Sequence, residues 1–181
     1  MRLKRAIVAS ICLVVLLLVG QVLAGPFAYS IPVQEDQITI GADGTVELVR
    51  YFEFAVASSS SDKGTEIWAG LPTGATQVQS VVDEGGKKVN FSTRSSGGQY
   101  VVVLKGFSAI SPGSKLGFTI TARIPNFLYA DQSNADYATM EYTPAWWDQG
   151  DVGTQRVAIV LPPKVTKEEV KTGQREWNGT A

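Results

Sequence analysis

The feature that most constrains this chain is a two-residue period in hydrophobicity that runs almost without interruption from Gly25 to Pro163. The clearest stretch is KLGFTITARI, where Leu116, Phe118, Ile120, Ala122 and Ile124 occupy alternate positions. Successive side chains of a strand point to opposite faces, so this pattern is that of a half-buried β-strand. No segment in this span sustains the 3.6-residue period of a helix. Ile38 and Ile40 precede Asp43-Gly44, a dipeptide that tolerates the positive φ of a tight turn. Val46, Leu48, Phe52, Phe54 and Val56 then share one face of a return strand. Arg50 interrupts that face, which predicts a place near an edge or a snorkelling side chain. A second hairpin is expected in QVQSVVDEGGKKVNFSTR, turning at Glu84 to Gly86, and Tyr100, Val102 and Leu104 mark the face of another strand. Further strands are read in TEIWAGLP, YATMEYT and QRVAIVLPP, with SSSSDKG and SPGS as loops. Eight or nine strands at this spacing predict an all-β fold, an antiparallel β-sandwich of immunoglobulin-like or related type.

Residue types narrow the chemistry. The chain has no histidine, which removes the usual general base near neutral pH and the commonest zinc ligand. Its single cysteine, Cys12, lies in an apolar run, so an intrachain disulfide is impossible and a cysteine metal cluster is excluded. Basic residues cluster nowhere except at the extreme N-terminus, which argues against a nucleic-acid surface. At 44% hydrophobic and 18% charged residues, a packed core is feasible.

The first 24 residues read as an address. Arg2, Lys4 and Arg5 form a basic region, an apolar run extends from Ala6 to Val19, and Val22-Leu23-Ala24 supplies a cleavage motif. Cleavage between Ala24 and Gly25 is expected, with an uncleaved anchor as the alternative. Both readings predict an extracytoplasmic, secreted or membrane-associated domain. Removal of this segment takes three of the 16 Lys and Arg residues and leaves 13 against 17 Asp and Glu, a mildly acidic remainder. At the other end, Asn178-Gly179 signals a turn with no strand after it, which predicts that 164–181 begin further β-structure in a longer chain. The expected domains are therefore 1–24, 25–163 and 164–181.

The candidate site is TPAWWDQG. Trp146, Trp147 and Asp148 could form a sugar-binding platform, with an indole stacked on a ring and the carboxylate on its hydroxyls. The alternative is a corner: Pro144 ends a strand, and alternation sends the two indoles to opposite sides. Large aromatics are mostly structural anchors, which favours the corner. In the loop from Asp131 to Asp136, Asp131, Asn134 and Asp136 could donate oxygens to calcium. Their spacing is not that of an EF-hand and no glutamate closes the site, so they are read as turn residues and no metal site is expected. No pair of carboxylates stands out as a glycosidase pair, and no motif joins a nucleophile to a base. No catalytic residue and no cofactor are expected. Asn90-Phe91-Ser92 and Asn178-Gly179-Thr180 fit the N-glycosylation pattern.

AYSIPVQEDQITIGADGTVELVRYFEF, and later IPNFLYADQ and YTPAWWDQGDVGTQRVAIVLPP, resemble the exported N-terminal domain of certain prokaryotic predicted membrane proteins of unknown function. The resemblance covers Phe27 to Pro163. It implies a β-sandwich ectodomain followed by more β-structure and by transmembrane helices, and it offers no catalytic residues. The expected role is a non-catalytic ectodomain or interaction module of the cell envelope. Its partner would be a protein or a cell-wall glycan, and its membrane contact would come through the N-terminal segment or C-terminal helices. The alternatives are a carbohydrate-binding module and a carboxylate-dependent hydrolase.

Overall fold

The computed structural model describes residues 27–96, 98–130, 132, 138–145, 147 and 150–162. The expected signal segment with its Ala24–Gly25 junction, the Asp131, Asn134 and Asp136 loop positions, and the tail from 164 to 181 lie outside these residues.

The described residues hold ten strands and no helix. In chain order they are β1 (Tyr29–Ile40), β2 (Val46–Val56), β3 (Ile67–Gly70), β4 (Gln77–Asp83), β5 (Asn90–Ser96), β6 (Gln99–Lys105), β7 (Lys115–Ile124), β8 (Leu128–Ala130), β9 (Ala138–Met140) and β10 (Asp151–Val160). They form a five-stranded sheet in the order β10-β1-β2-β7-β4, a three-stranded sheet β3-β6-β5, and the small pair β8-β9. The all-β expectation holds, and all but one of the strand pairs are antiparallel. The exception is β10, which runs parallel to β1 from Ser30↔Asp151 to Thr39↔Val160.

The first hairpin forms as its turn residues require. Gly44 adopts φ 78°, and the Asp43 carboxylate accepts from the Thr45 amide at 3.0 Å and from its hydroxyl at 2.7 Å. The hydroxyl bond, with the amide bond behind it, lowers the Asp43 pKa below the ordinary carboxylate value. The turn fixes the register: Ile40 pairs with Val46 and Ile38 with Leu48. The second hairpin departs from expectation. Its turn is present, with Gly86 at φ 77°, but its legs separate after one bridge at Val82↔Lys88. β4 joins β7 in the larger sheet and β5 joins β6 in the smaller one. A leg that changes sheets lets Val89 enter the core.

The two larger sheets bury one common cluster. Phe52, Phe54, Val81, Phe118 and Ile120 come from the five-stranded sheet, and Ile67, Ala69, Val102 and Leu104 from the three-stranded one. A second cluster covers the other half of the same sheet. There Ile38, Val46, Leu48 and Ile124 pack beneath Phe127, Leu128, Met140 and Tyr142. Along β2 the division falls at one residue: Val46 and Leu48 belong to the second cluster, Phe52 and Phe54 to the first, and Arg50 lies between them.

Candidate functional site

Arg50 is 0% exposed on the central strand of the five-stranded sheet. The expectation of an edge or snorkelling position is therefore corrected. The side chain keeps the inward phase of its strand, and its charge is matched in place. Asp36, opposite it on β1, accepts from Arg50 Nε at 2.6 Å and from Nη2 at 3.3 Å. Arg50 Nη1 donates to the Gly70 carbonyl at 2.6 Å, at the end of β3 in the other sheet. Nη2 also donates to the Tyr142 hydroxyl at 2.9 Å, and that hydroxyl donates to Asp36 Oδ2. One guanidinium thus joins β1, β3 and the segment after β9.

A second buried bond extends this layer. Gln34 Nε2 donates to Asp36 Oδ2 at 2.9 Å, and Gln34 Oε1 accepts from Trp147 Nε1 at 2.7 Å. Trp147 is buried, with its ring 4.8 Å from that of Phe52. Of the three sequence-derived site residues, Trp147 is thus an interior anchor with its indole N–H already used. Trp146 and Asp148 lie outside the described residues.

The electrostatics follow from this packing. Burial opposes the Arg50 charge, but Asp36 and the Tyr142 oxygen outweigh it and raise the pKa above the ordinary value. Burial also drives the Tyr142 phenol upward, against the pull of the Arg50 cation. Among the described residues, every buried side-chain nitrogen and oxygen has a partner. A closed set of this kind holds shape; it presents no free nucleophile or base to a substrate.

A second group lies on the outer side of the three-stranded sheet. Trp68 is 41% exposed, and the Arg94 guanidinium carbon lies 3.7 Å from the centre of its ring. Glu66 accepts from Trp68 Nε1, pairs with Lys105 Nζ at 2.7 Å, and contacts Arg94 Nη2 at 3.4 Å. The bond from Lys105, followed by that from the indole, lowers the Glu66 pKa. On the other face of this sheet, where Thr93, Ser95 and Tyr100 are in phase with buried Val102, a cleft of about 170 Å³ lies between the loop after β3 and edge strand β5. Leu71, Thr76, Thr93, Arg94, Ser95 and Tyr100 line it. Sequence reasoning missed both groups. A detectable sign was the polar pair Gln34 and Asp36 in phase with Ile38; Glu66, just ahead of β3, and Trp68 within it, two positions apart, were another.

Among the described residues no group of three or more His, Cys, Asp or Glu is placed to hold a metal ion. No helix among them is long and apolar enough to cross a membrane.

No protein-family model matches the chain, and no curated protein is similar to it in sequence. Among solved structures, it is similar to a native leukotriene A4 hydrolase from Saccharomyces cerevisiae, at 15% identity and TM-score 0.43. That match covers 55% of this chain and 15% of the other. It is also similar to an M1 zinc metallopeptidase from Deinococcus radiodurans, at 11% identity and TM-score 0.41, over 53% of this chain and 20% of the other. The chain therefore spans a fifth or less of these two proteins, and a likeness this slight bears on neither fold nor activity.

Proposed function

We propose that this protein is an exported, non-catalytic ectodomain or interaction module of the cell envelope, built as a β-sandwich of immunoglobulin-like or related type. The observation that carries the reading is the order of segments at the N-terminus. A basic region at Arg2, Lys4 and Arg5 precedes an apolar run and then Val22-Leu23-Ala24, ahead of a body made of strands. The interior supports it as well. Its charged groups bond to one another and to the backbone rather than facing a cleft. The membrane-protein ectodomain resemblance belongs to the same reading.

A sugar-binding role is the second reading. The exposed Trp68 on the outer side of the three-stranded sheet favours it.

The test of the first reading is expression with a C-terminal tag in a host with a secretory pathway, followed by fractionation and N-terminal sequencing. The expected product is extracytoplasmic and begins near Gly25, or is retained at the membrane by the uncut segment. A soluble cytoplasmic product that keeps Met1 would overturn export.

A further inference from the structure

We propose that β10 is a docking edge for a second copy of this chain: two β10 strands pair antiparallel about a two-fold axis at Val157 and join the five-stranded sheets of both copies into one.

A strand at the border of a sheet leaves one row of backbone N–H and C=O groups unpaired. Soluble proteins guard such rows with short strands, bulges, lysines, prolines or inward-pointing charges. The two larger sheets end at β10, β4, β3 and β5. β3 is four residues long. β4 is broken by a register shift between Val78 and Ser80. β5 reads NFSTRSS, polar at every position except Phe91. β10 has none of these guards. It runs ten residues, DVGTQRVAIV, with no proline and no lysine, and it keeps one register with β1 from end to end. Among the described residues no strand lies on its other side.

The side chains of β10 are uncovered as well. Gln155, Val157 and Ile159 stand beside buried Gln34, Asp36 and Ile38, so they point to the core side of the sheet, and none of the three is charged. Thr154, Arg156, Ala158 and Val160 point to the outward side. Arg156, the one cation, is held there by Glu35 at 2.6 Å. Only Ile159 is partly covered, and the rest of the strand is exposed on both faces. Val157 is 38% exposed and Val160 44%.

The sequence of β10 is complementary to itself. An axis through Val157 sets Val157 on its own copy, Gln155 on Ile159, Arg156 on Ala158 and Thr154 on Val160. Both exposed valines then meet β-branched partners and no like charges are opposed, and such cross-strand pairs are the unit of sheet stabilisation. Moving the axis one residue toward the N-terminus opposes Arg156 to its own copy, which is unfavourable. Moving it one residue toward the C-terminus cuts the overlap within the strand from 154–160 to 156–160 and brings Pro162, which has no N–H, opposite Thr154. A two-fold pair uses the same edge on both copies and is closed, so association stops at the dimer.

The inference goes beyond the proposed envelope role and does not depend on it: export is scored by fractionation, pairing by mass in solution. The experiment is sedimentation equilibrium of the chain as recovered from the expression host, in a mild detergent so that the apolar run from Ala6 to Val19 does not itself associate. A reversible, concentration-dependent dimer is expected. Val157→Lys opposes two like charges at the axis and should weaken the dimer by about tenfold or more. Val152→Lys, at a valine of equal exposure beyond the paired stretch, should leave it near the parent, and both variants should melt near the parent temperature. A second pair of variants keeps the test independent of a charge on the edge. In a Cys12→Ser background, Val157→Cys should be trapped as a covalent dimer by mild oxidation. Thr154→Cys should not, because the two thiols would lie about 20 Å apart along the strands. A chain that stays monomeric to its solubility limit would overturn the proposal, as would a dimer unchanged by Val157→Lys or equal trapping through residues 154 and 157. Growth beyond the dimer would overturn the closed two-fold. A monomer whose β10 amides are all protected from exchange would show that another part of the same chain fills this edge, which also overturns the second copy.

Discussion

Replacing Asp36 by Asn keeps the size of the side chain and removes its charge. Four donors converge on the carboxylate: Arg50 Nε and Nη2, Gln34 Nε2 and the Tyr142 hydroxyl. An amide has one acceptor oxygen, so its NH₂ would face donors, and the buried Arg50 would lose its counter-ion. Breaking a buried pair in this way costs about 3–5 kcal/mol. Against a total stability on the order of 5–15 kcal/mol, that loss is large. Removing all the partners together is a different perturbation. Asp36→Leu, Arg50→Met and Tyr142→Phe in one chain delete both charges and the phenol, leaving Gln34 Nε2 and the Gly70 carbonyl each short of one bond. At about 1 kcal/mol per lost bond, offset by gained apolar contact, the triple variant should lie within about 2 kcal/mol of the parent. Urea denaturation followed by tryptophan fluorescence and far-ultraviolet circular dichroism, with m held constant, measures both. An Asp36→Asn cost below about 1 kcal/mol, or a triple variant as weak as Asp36→Asn, would refute the account of the layer as a paired charge whose cost lies in its breaking.

Phe118 is fully buried between the rings of Phe52 and Phe107, at 5.5 and 5.1 Å, and Phe118→Ala should cost about 3–5 kcal/mol in the same assay. Thr119→Ala, on the opposite face of β7, should cost well under 1 kcal/mol, the usual scale for a substitution away from the core. Trp147→Phe keeps an aromatic beside Phe52 but leaves Gln34 Oε1 without its donor, a cost of about 1–3 kcal/mol by denaturation. On the alkaline side, the folded Tyr142 phenol holds its proton to higher pH than the unfolded one, which ionises near about 10. Its stabilising contribution is complete below that value and is lost as pH rises beyond it. Stability measured from pH 8 to 11 should therefore fall more steeply at the top of the range for the parent than for Tyr142→Phe.

How much of this was legible depended on distance along the chain. β7 read directly: Phe118, Ile120, Ala122 and Ile124 alternate in sequence and are buried in the structure. So did the face of β2. Arg50 was misplaced because its charge was weighed alone. The turn at Asp43-Gly44 that pairs Ile40 with Val46 and Ile38 with Leu48 also sets Asp36 opposite Arg50. The counter-ion could thus have been found from the hairpin. Tyr142 and the Gly70 carbonyl could not, because they reach Arg50 from 92 and 20 residues away, the first from a stretch outside any strand and the second from the other sheet. The parallel seat of β10 beside β1 was hidden for the same reason, since alternation describes a strand's faces and says nothing of its neighbour. Asp43-Gly44 announced a true hairpin, whereas Glu84 to Gly86 announced a turn between two sheets; local turn chemistry is the same in both. The Trp68 and Arg94 stack joins β3 to β5 across β6, a contact that needs the three-stranded order to be known.

The position of the polar layer suggests what it adds beyond stability. On one side of it the five-stranded sheet is covered by the three-stranded sheet, and on the other by Phe127, Leu128, Met140 and Tyr142. Apolar contact is non-directional, so leucines and phenylalanines alone would accept either cover sliding over the boundary. The hydrogen bonds of Arg50 do not slide: one reaches the end of β3, the other Tyr142. Trp147 adds a second fixed point on Gln34. Residues 141–145 are assigned to no strand, so the side chains of Tyr142 and Trp147 locate this stretch over the sheet. The apolar triple variant should thus separate two properties that fall together in Asp36→Asn. Its global stability should remain near that of the parent, while the amides of Glu141, Tyr142, Thr143 and Ala145 exchange with solvent faster, by tenfold or more if one hydrogen bond's worth of local free energy, about 1.4 kcal/mol, is lost. Exchange measured by NMR at fixed pH is the assay, with the amides of β2 and β7 as internal controls. Unchanged protection at 141–145 in the triple variant would mean that apolar packing alone places this segment, and that the buried charges specify nothing beyond the β1–β2 register.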